Sequence, residues 1–324
     1  MYSFAYYSDL LRNKIPNCAR ALGRPTVPFA CRFFITKLLT CATWDQYLLL
    51  RMYDMNLRRK REYLTGPQQV RLRKRLQGTL SPEAHAAIDD KHLFSLRFQA
   101  FLGRDWLYLP DSTEEEIRAF LENHELVFLK PTNQYGGHGI RALHRGEYDP
   151  EEILRDYAGR NFLLDEAIHQ HPKLSEINPT SVNTVRIVTV RKGDRVLPLG
   201  CSLRCGRNGA HVDNVTSGGT CYPVDINTGI ITGPGGCCTG PETFLFHPGT
   251  KIIMPGFQIP HWDYILQMVC KAALLFPTIA YVGWDVAVTE DGAVLVETNS
   301  TPAMDFVQMT GPLYKKLRDF VNKN

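Results

Sequence analysis

The chain has 324 residues, of which 44% are hydrophobic and 22% charged, and its formal net charge is +4 at pH 7. This composition is typical of a globular protein with one large domain or two modest ones. Nothing near the start resembles a secretion signal, and the nine cysteines have no framework spacing, which argues against a secreted disulfide scaffold and predicts a cytoplasmic location. The most apolar N-terminal segment, residues 27–44, contains Arg32 and Lys37 and is too short to cross a bilayer.

The first 80 residues are predicted to be a basic helical region. They contain 15 Lys and Arg against 4 Asp and Glu, a balance of +11, so the rest of the chain has a balance of −7. The clusters "LRRKREYL" and "VRLRKRL" place apolar residues at helical spacing beside the cations, which predicts amphipathic helices with a cationic face. That face is either ordinary solvated surface or a contact site for anionic lipid or a polyanionic substrate. No nucleic-acid recognition motif accompanies the charge, so no nucleic-acid partner is expected.

The segment from residue 81 to residue 145 is predicted to contain both helices and strands. Ser81, Pro82 and Glu83 form a helix start, and a short helix follows through "DDKHLFSLRFQAFLG". "WLYLP" is typical of a strand, "DSTEEEIRAFLENH" has the acidic first turn of a helix, and "ELVFLKP" is a second strand.

The remaining segments are predicted to be mainly antiparallel strands. "NFLLDEAI" is a strand, and "NTVRIVTVRKGDRVLPLGCSLRCG" is a pair of strands joined at "KGDR". "HWDYILQMVCKAALLF" is a helix, and "YVGWDVAVTEDGAVLVETN" is a hairpin that turns at Glu290, Asp291 and Gly292. Helices mixed with largely antiparallel strands predict an α+β architecture.

A lysine ends the strand in "VFLKPTNQYGGHGI" and a glycine-rich turn follows it. Lys130 is followed by Gly136, Gly137 and Gly139. One interpretation is a strand that presents Lys130 to a phosphate while a flexible loop closes over that phosphate. The other is a core strand that ends in an ordinary turn.

The last hairpin contains a possible metal site. Glu297 and Asn299 are two residues apart and share one face of a strand, and pairing about the turn can bring Asp285 beside them. Two carboxylates and an amide oxygen form a hard-oxygen site suited to Mg²⁺ that holds substrate phosphates. The alternative is an edge hairpin with solvent-facing acids, but these acids lie inside apolar runs where an unpaired buried charge would be costly.

The ordered series of motifs resembles the ATP-grasp superfamily, and more narrowly the sugar-transfer-associated ATP-grasp proteins found with polysaccharide genes. The likeness covers most of residues 45–310 and rests on "YLLLRMYDMNLRRKREYLTG", "LKPTNQYGGHGI", "SVNTVRIVT", "LRCGRNGAHVDNVTSGGT" and "GWDVAVTEDGAVLVETNSTP". It implies an ATP-grasp fold, in which two antiparallel-rich α+β subdomains hold ATP between them. The expected division is a basic helical region over 1–80 and an ATP-grasp domain over 81–324, with subdomains of about 106–170 and 171–310.

The resemblance implies a role for each matching position. Lys91 and Lys130 would neutralise the α- and β-phosphates, and the loop around Gly136, Gly137 and Gly139 would close over them. The linker that contacts adenine of ATP would be Glu166, Ala167 and Ile168. The ligands of two Mg²⁺ ions would be Asp285, Glu297 and Asn299. Arg186 and Arg204 would face the transferred phosphate.

The sequence departs from one family pattern. Ligases that join two amino acids usually have an arginine two residues before the first metal aspartate, and that position here is Gly283. Oxyanion stabilisation would then come from Arg204 or Asn183. Glu176 is the one candidate for a ribose-binding acid.

The expected activity is an ATP- and Mg²⁺-dependent ligase that activates a small-molecule or glycan carboxylate as an acyl phosphate for attack by an amine or a thiol. One alternative is a kinase on the same fold that phosphorylates a sugar or polyol hydroxyl, with Asp213 as its base. Another is a non-catalytic nucleotide-binding partner of a polysaccharide assembly system.

Overall fold

The structure is a computed structural model, and it describes residues 3–134, 138–207, 209, 213, 215, 218–238, 240–276 and 278–323. The α-helices in chain order are α1 (Phe4–Asp9), α2 (Ile15–Ala21), α3 (Thr26–Thr40), α4 (Trp44–Leu49), α5 (Leu57–Lys60), α6 (Gly66–Gln77), α7 (Pro82–Asp89), α8 (Lys91–Phe98), α9 (Glu114–Asn123), α10 (Pro150–Tyr157), α11 (Pro172–Ile177), α12 (Trp262–Leu274) and α13 (Tyr314–Asn322). The strands are β1 (Trp106–Tyr108), β2 (Leu126–Pro131), β3 (Arg141–His144), β4 (Phe162–Glu166), β5 (Thr184–Lys192), β6 (Arg195–Cys205), β7 (Thr220–Val224), β8 (Gly235–Gly236), β9 (Thr243–Phe244), β10 (Tyr281–Thr289) and β11 (Gly292–Asn299).

The N-terminal region is helical, as predicted, and has its own aromatic core. Phe33 of α3 packs edge-on against Trp44 and Tyr47 of α4, and all three side chains are buried. The cluster "LRRKREYL" is less helical than predicted, because α5 ends at Lys60. After the helix ends, the N–H of Leu64 donates to the buried side-chain oxygen of Gln308 at 2.8 Å, and the carbonyl of Leu64 accepts from the side-chain nitrogen of Gln308.

A four-stranded antiparallel sheet forms the first half of the remaining chain, with strand order β1-β4-β2-β3. Helices α9 and α10 cover one face, where Ile117, Phe120 and Ile153 pack against Val127 and Leu129 of β2. Helix α9 begins with the predicted acidic turn, and Thr113 and Glu116 form a capping box at its start. Buried and partly exposed residues alternate along β2, so every second side chain projects from the face of the sheet that α9 and α10 do not cover.

A seven-stranded antiparallel sheet forms the second half, with strand order β11-β10-β5-β6-β7-β8-β9. Val185 and Ile187 of β5 pack against α12 on one face, together with Trp284 of β10. The alternation of side chains along a strand therefore places Arg186 and Asp285 on the face away from α12. These two sheets and the helices around them confirm the α+β prediction.

The hairpin of β10 and β11 contains a β-bulge close to its acidic residues. Thr289 pairs with Gly292 across the turn, and the regular register continues to Val286 and Leu295. The next pair is Asp285 with Glu297, so Val296 is an extra residue on β11.

Within the described ranges, no helix combines the length and the apolar character that a membrane span requires.

Candidate active site

A cavity of about 610 Å³ lies between the two sheets. Its lining includes β2 and β4 from the first sheet and β6, β10 and β11 from the second. Of the sequence-predicted site residues, the cavity is lined by Lys91, Lys130, Glu166, Ala167, Ile168, Arg204, Asp213, Asp285 and Glu297. Arg186 does not line it, and neither do Gly139 and Asn299. Gly136 and Gly137 lie outside the described residues.

Two carboxyl groups meet at the second-sheet side of the cavity. Asp285 of β10 is directly opposite Glu297 of β11, so both side chains project from the same face of the sheet. Asn299 follows on that face and is opposite Gly283, which has no side chain to occupy the space beside it. The three oxygen-bearing groups predicted from the hairpin are therefore neighbours on one surface.

Asp285 is held by two buried arginines. Arg186 lies directly across from it on β5 and donates to both carboxylate oxygens, with a distance of 2.9 Å from its terminal nitrogen to Oδ2. Arg204 of β6 approaches Oδ2 to 2.7 Å. Burial alone would raise the pKa of Asp285, but the two guanidinium charges outweigh burial and lower the pKa to about 2. Asp285 is thus a fixed anion, and Arg186 lies behind it rather than in the cavity.

Glu297 is in the opposite electrostatic situation. Burial and the adjacent Asp285 charge raise the pKa of Glu297 to about 7, and Arg204 only partly offsets them. Among the described residues, no basic side chain forms an ion pair with its carboxylate. The charge of an ionised Glu297 is therefore poorly compensated by the protein itself.

This arrangement fits a divalent cation. A hard cation prefers carboxylate and amide oxygens, and Asp285, Glu297 and Asn299 provide them on one face. A cation between the two carboxyl groups would supply the positive charge that Glu297 lacks.

Lys130 reaches the cavity from the first sheet and is paired with Asp165 of the neighbouring strand β4. Arg104 contacts the other oxygen of Asp165, with Nε at 2.7 Å, and also donates to the carbonyl of Leu295 at 2.8 Å. Burial of Asp165 works to raise its pKa, but Arg104 and Lys130 keep that pKa below its usual value. Arg104 therefore links β4, whose Asp165 pairs with Lys130, to β11, which carries Glu297. The sequence did not single out Arg104, which precedes a predicted strand, or Asp165, which lies within one.

Lys91 is the first residue of α8, where Asp90 caps the helix by accepting from two backbone N–H groups. Its ammonium donates to the carbonyl of Gln134, at the edge of the glycine-rich segment. Burial lowers the pKa of Lys91, while Glu297 acts to raise it and Lys130 to lower it. The two lysines therefore act on the same region of the cavity from different elements.

The described end of the glycine-rich loop requires glycine at one position. Gly139 has a φ of +74°, and a Cβ there would lie 3.1 Å from Cγ of Pro131. The backbone conformation and the close approach of Pro131 both disfavour any larger residue.

The predicted adenine linker follows β4. The N–H of Glu166 donates to Asp105 at 3.0 Å, and the N–H of Ala167 donates to Leu126 at 3.1 Å. In the described part of the chain, the N–H of Ile168 has no such backbone partner.

One small group beside the linker has ligand atoms that could hold a metal ion. Asp105, His124 and Glu166 bring one oxygen or nitrogen each to within 4.8 Å of one another. His124 Nε2 lies 3.3 Å from Asp105 and 3.9 Å from Glu166. The Asp105 N–H also donates to the Glu166 carboxylate at 2.9 Å, which fixes the start of the linker.

A polar network of Asp213, Thr184 and Arg204 adjoins Asp285. Asp213 accepts from the N–H of Thr184 at 3.1 Å and from its hydroxyl, and Arg204 donates to the same hydroxyl oxygen at 2.8 Å. Burial raises the pKa of Asp213, and Arg204 partly offsets burial. Thr184, which the sequence did not single out, therefore connects the cation and the carboxyl group.

Two other candidates from the sequence are turned away from the cavity. Asn183 is fully buried, and its amide nitrogen donates to Gln170, Leu174 and Asn178 at 2.8–3.1 Å. It therefore stabilises the loop before β5 and has no donor left for an oxyanion. Glu176 is exposed on α11 and does not line the cavity.

Comparisons with known proteins place this geometry in context. The family model described as "Sugar-transfer associated ATP-grasp" matches residues 154–320, which is just over half of the chain. A search of curated proteins finds no match.

Many solved structures are similar to the chain, among them the following three. The ATP-grasp ligase PsnB, in complex with a phosphomimetic variant of its minimal precursor, Mg and ADP, is 18% identical over 75% of this chain and 62% of PsnB, with a TM-score of 0.45. N5-carboxyaminoimidazole synthase from Aspergillus clavatus, with ADP and 5-aminoimidazole ribonucleotide, is 12% identical over 75% and 53%, with a TM-score of 0.47. D-alanyl-alanine synthetase A from Vibrio cholerae is 12% identical over 75% and 63%, with a TM-score of 0.42. The chain spans less than two thirds of each of these proteins.

Proposed function

The chain belongs to the sugar-transfer associated ATP-grasp family, and from this premise we propose that it is an ATP- and Mg²⁺-dependent ligase that joins a carboxylate to an amine or a thiol. The observation that supports the proposal most strongly is the pairing of Asp285 with Glu297 across a cavity from Lys130. A pair of carboxylates on one wall and the ammonium of Lys130 on the other match a metal–nucleotide complex, whose phosphates need both kinds of partner.

The proposed nucleotide site uses both walls of the cavity. Lys91 and Lys130 bind the α- and β-phosphates, and Asp165 with Arg104 positions the ammonium of Lys130. The amide of Ile168 offers a donor to adenine, and Glu166 and Ala167 form the linker around it. We further propose that the loop of Gly136, Gly137 and Gly139 closes over the phosphates.

The metal ligands in this proposal are Asp285, Glu297 and Asn299, for two Mg²⁺ ions. When bound, Mg²⁺ would supply positive charge to the phosphoryl group in transfer. Arg186 fixes the orientation of Asp285 by bonding both of its oxygens. We therefore assign Arg186 a positioning role and leave Arg204, which lines the cavity, as the arginine that can contact a substrate.

The proposed reaction has two steps. An oxygen of the substrate carboxylate attacks the γ-phosphorus of ATP, the bond from that phosphorus to ADP breaks, and an acyl phosphate forms. The amine nitrogen then attacks the acyl carbon, phosphate leaves, and the nitrogen loses a proton. Arg204 suits the first step, because it lines the cavity and its guanidinium charge would attract a substrate carboxylate.

A kinase is the second candidate, and Asp213 favours it. Its carboxyl group lines the cavity beside Arg204, and burial raises its pKa, as a base for a hydroxyl would require. The same carboxyl group is already engaged with Thr184, which supports a structural role instead.

The remaining features of the proposal are the substrates, the location and the domains. The substrates would be a small-molecule or glycan carboxylate and an amine in polysaccharide or natural-product biosynthesis, with no nucleic-acid partner. The cysteine pattern supports a cytoplasmic site of action. Residues 1–80 would form a basic helical domain that contacts an anionic surface, and residues 81–324 the ATP-grasp domain, with subdomains of about 106–170 and 171–310.

Trapping the acyl phosphate tests the proposal. The protein, Mg-ATP and a pool of carboxylates are incubated with hydroxylamine, and hydroxamates are detected by mass spectrometry. A hydroxamate that requires ATP, and falls at least about a hundredfold in Asp285→Asn, is expected of the ligase. A stable phosphomonoester that is absent in Asp213→Asn would instead establish the kinase. Failure of the protein to bind Mg-ATP would contradict both.

A further inference from the structure

The outward face of α3 is apolar. Val27, Ile35 and Leu38 are 71%, 57% and 81% exposed, and Cys31 between them is also exposed. At 100° per residue these four positions fall on one side of the helix, opposite the side that is buried in the N-terminal core. A solvent-facing helix normally shows charged residues there, so this stripe is the reverse of the usual pattern.

Cations flank this apolar stripe. By the same helical geometry, Arg32 lies on one edge of the stripe, and Lys37 lies on the other with its ammonium 6.0 Å from the ring of Tyr7. Lys60 at the end of α5 donates to Thr36 on the buried side of α3, so α5 contacts the helix away from the apolar stripe. The apolar stripe is therefore bordered by positive charge.

The acidic residues of this region do not cancel that charge. Asp9, Asp54 and Glu62 each form an ion pair within the region, with Lys14, Arg24 and Arg59 respectively. Residues 1–80 have an excess of +11 with these acidic residues already counted, and Arg32 and Lys37 are the cations of that excess that flank the apolar face of α3.

We propose that the Val27, Cys31, Ile35 and Leu38 face of α3 docks on an anionic lipid bilayer. The helix would lie in the plane of the interface, with the apolar stripe among the acyl chains and with Arg32 and Lys37 reaching the headgroups. Its opposite face is already buried against α4, so the helix lies on the bilayer and does not cross it.

Charge favours lipid over a second copy of the chain. A symmetric dimer through this face would bring two sets of like charges together around the apolar centre, which costs free energy. An anionic bilayer gains from the same cations, by roughly fivefold in binding for each basic residue near the surface. The apolar stripe would also insert among the acyl chains, which a purely electrostatic contact does not do.

Vesicle co-sedimentation tests this docking. One set of vesicles is phosphatidylcholine and the other contains about 30% phosphatidylglycerol, so that only the surface charge differs. The full chain is compared with Ile35→Asp and Leu38→Asp. The matched control is Ile253→Asp, because Ile253 is 64% exposed and lies outside the N-terminal region. Equal unfolding temperatures would show that the exposed substitutions leave the fold intact.

Stronger binding to the anionic vesicles by at least about tenfold, lost in both α3 variants and kept in Ile253→Asp, is the expected result. Absence of binding to either vesicle would overturn the proposal. So would anionic binding that the α3 variants do not weaken, because the cations alone would then account for it. A dimer in analytical ultracentrifugation that Leu38→Asp dissolves, without vesicle binding, would assign the face to a second copy of the chain.

Discussion

Replacement of Arg186 by Met tests whether this arginine positions Asp285 or contacts the transferred phosphate. The guanidinium of Arg186 bonds both oxygens of Asp285 from the neighbouring strand and does not line the cavity. Methionine keeps much of the volume of the stem and removes the charge. If the role is positioning, the first consequence is a loss of stability, because Arg204 is then the one cation that the described residues keep in contact with Asp285.

The size of this loss follows from the pKa of Asp285. A pKa lowered from 3.8 to about 2 corresponds to roughly 2 kcal/mol of stabilisation at pH 7. Arg186 is the largest of the influences that lower this pKa, and burial would raise it once Arg186 is gone. We therefore expect the free energy of unfolding to fall by about 3 kcal/mol, as for other buried ion pairs that lose one partner.

The pH dependence has a defined sign. The folded-state pKa of Asp285 is depressed, so its stabilising contribution is present above pH 3.8 and is lost as the pH falls towards 2. In Arg186→Met the pKa of Asp285 is higher, so this carboxyl group takes up its proton at a higher pH. The difference in stability between the two proteins is therefore largest near pH 7 and becomes smaller in acid.

Urea unfolding at a series of pH values measures this difference. Arg186→Lys is the matched control, because lysine keeps the charge but cannot bond both carboxylate oxygens. Arg186→Lys should recover part of the lost stability, but it should not restore the two hydrogen bonds that orient the carboxylate of Asp285. A stability difference that is independent of pH, or an Arg186→Met protein as stable as the parent, would refute the positioning role.

The remaining predictions concern three other features of the site. Lys130→Met should weaken Mg-ATP binding about tenfold, since an ammonium beside the phosphates is lost, and unchanged affinity in titration calorimetry would remove that role. Glu297→Gln should be more stable than the parent in Mg²⁺-free solution, by roughly 3 kcal/mol at pH 8 and little at pH 5. The reason is that the pKa of Glu297 is raised from 4.5 to about 7, so the folded state of the parent loses stability as the pH rises from 4.5 through 7. Thermal melts at both pH values check this, and equal shifts would contradict it. Gly283→Ala should lose about 1–3 kcal/mol, because its Cβ would lie 2.6 Å from Cβ of Pro302. Gly66→Ala, where a Cβ meets no atom within 4 Å, is the control in the same urea titration.

Much of the framework could be predicted from local sequence signals. Ser81 and Thr113 cap helices where the sequence indicated, because a side-chain oxygen before a helix satisfies backbone donors within three residues. Lys130 could be identified as a candidate site residue because a single cation at the end of an apolar strand indicates a specific role for its charge. Arg104 and Asp165 could not be found this way, because their roles arise from contacts between segments 61 residues apart in the chain.

The register of the hairpin of β10 and β11 shows most clearly what local signals miss. Counted regularly from the turn between Thr289 and Gly292, the residue opposite Asp285 would be Val296, and Glu297 would project from the other face of the sheet. The bulge at Val296 shifts the register by one residue, and only then do Asp285 and Glu297 share a face. A pattern of alternating residues contains no sign of such a bulge, because the bulge depends on packing against neighbouring strands. The raised pKa of Glu297 is a cost of that placement. The cation proposed above would offset this cost, because two adjacent carboxyl groups on one face are ligands that a hard divalent ion prefers.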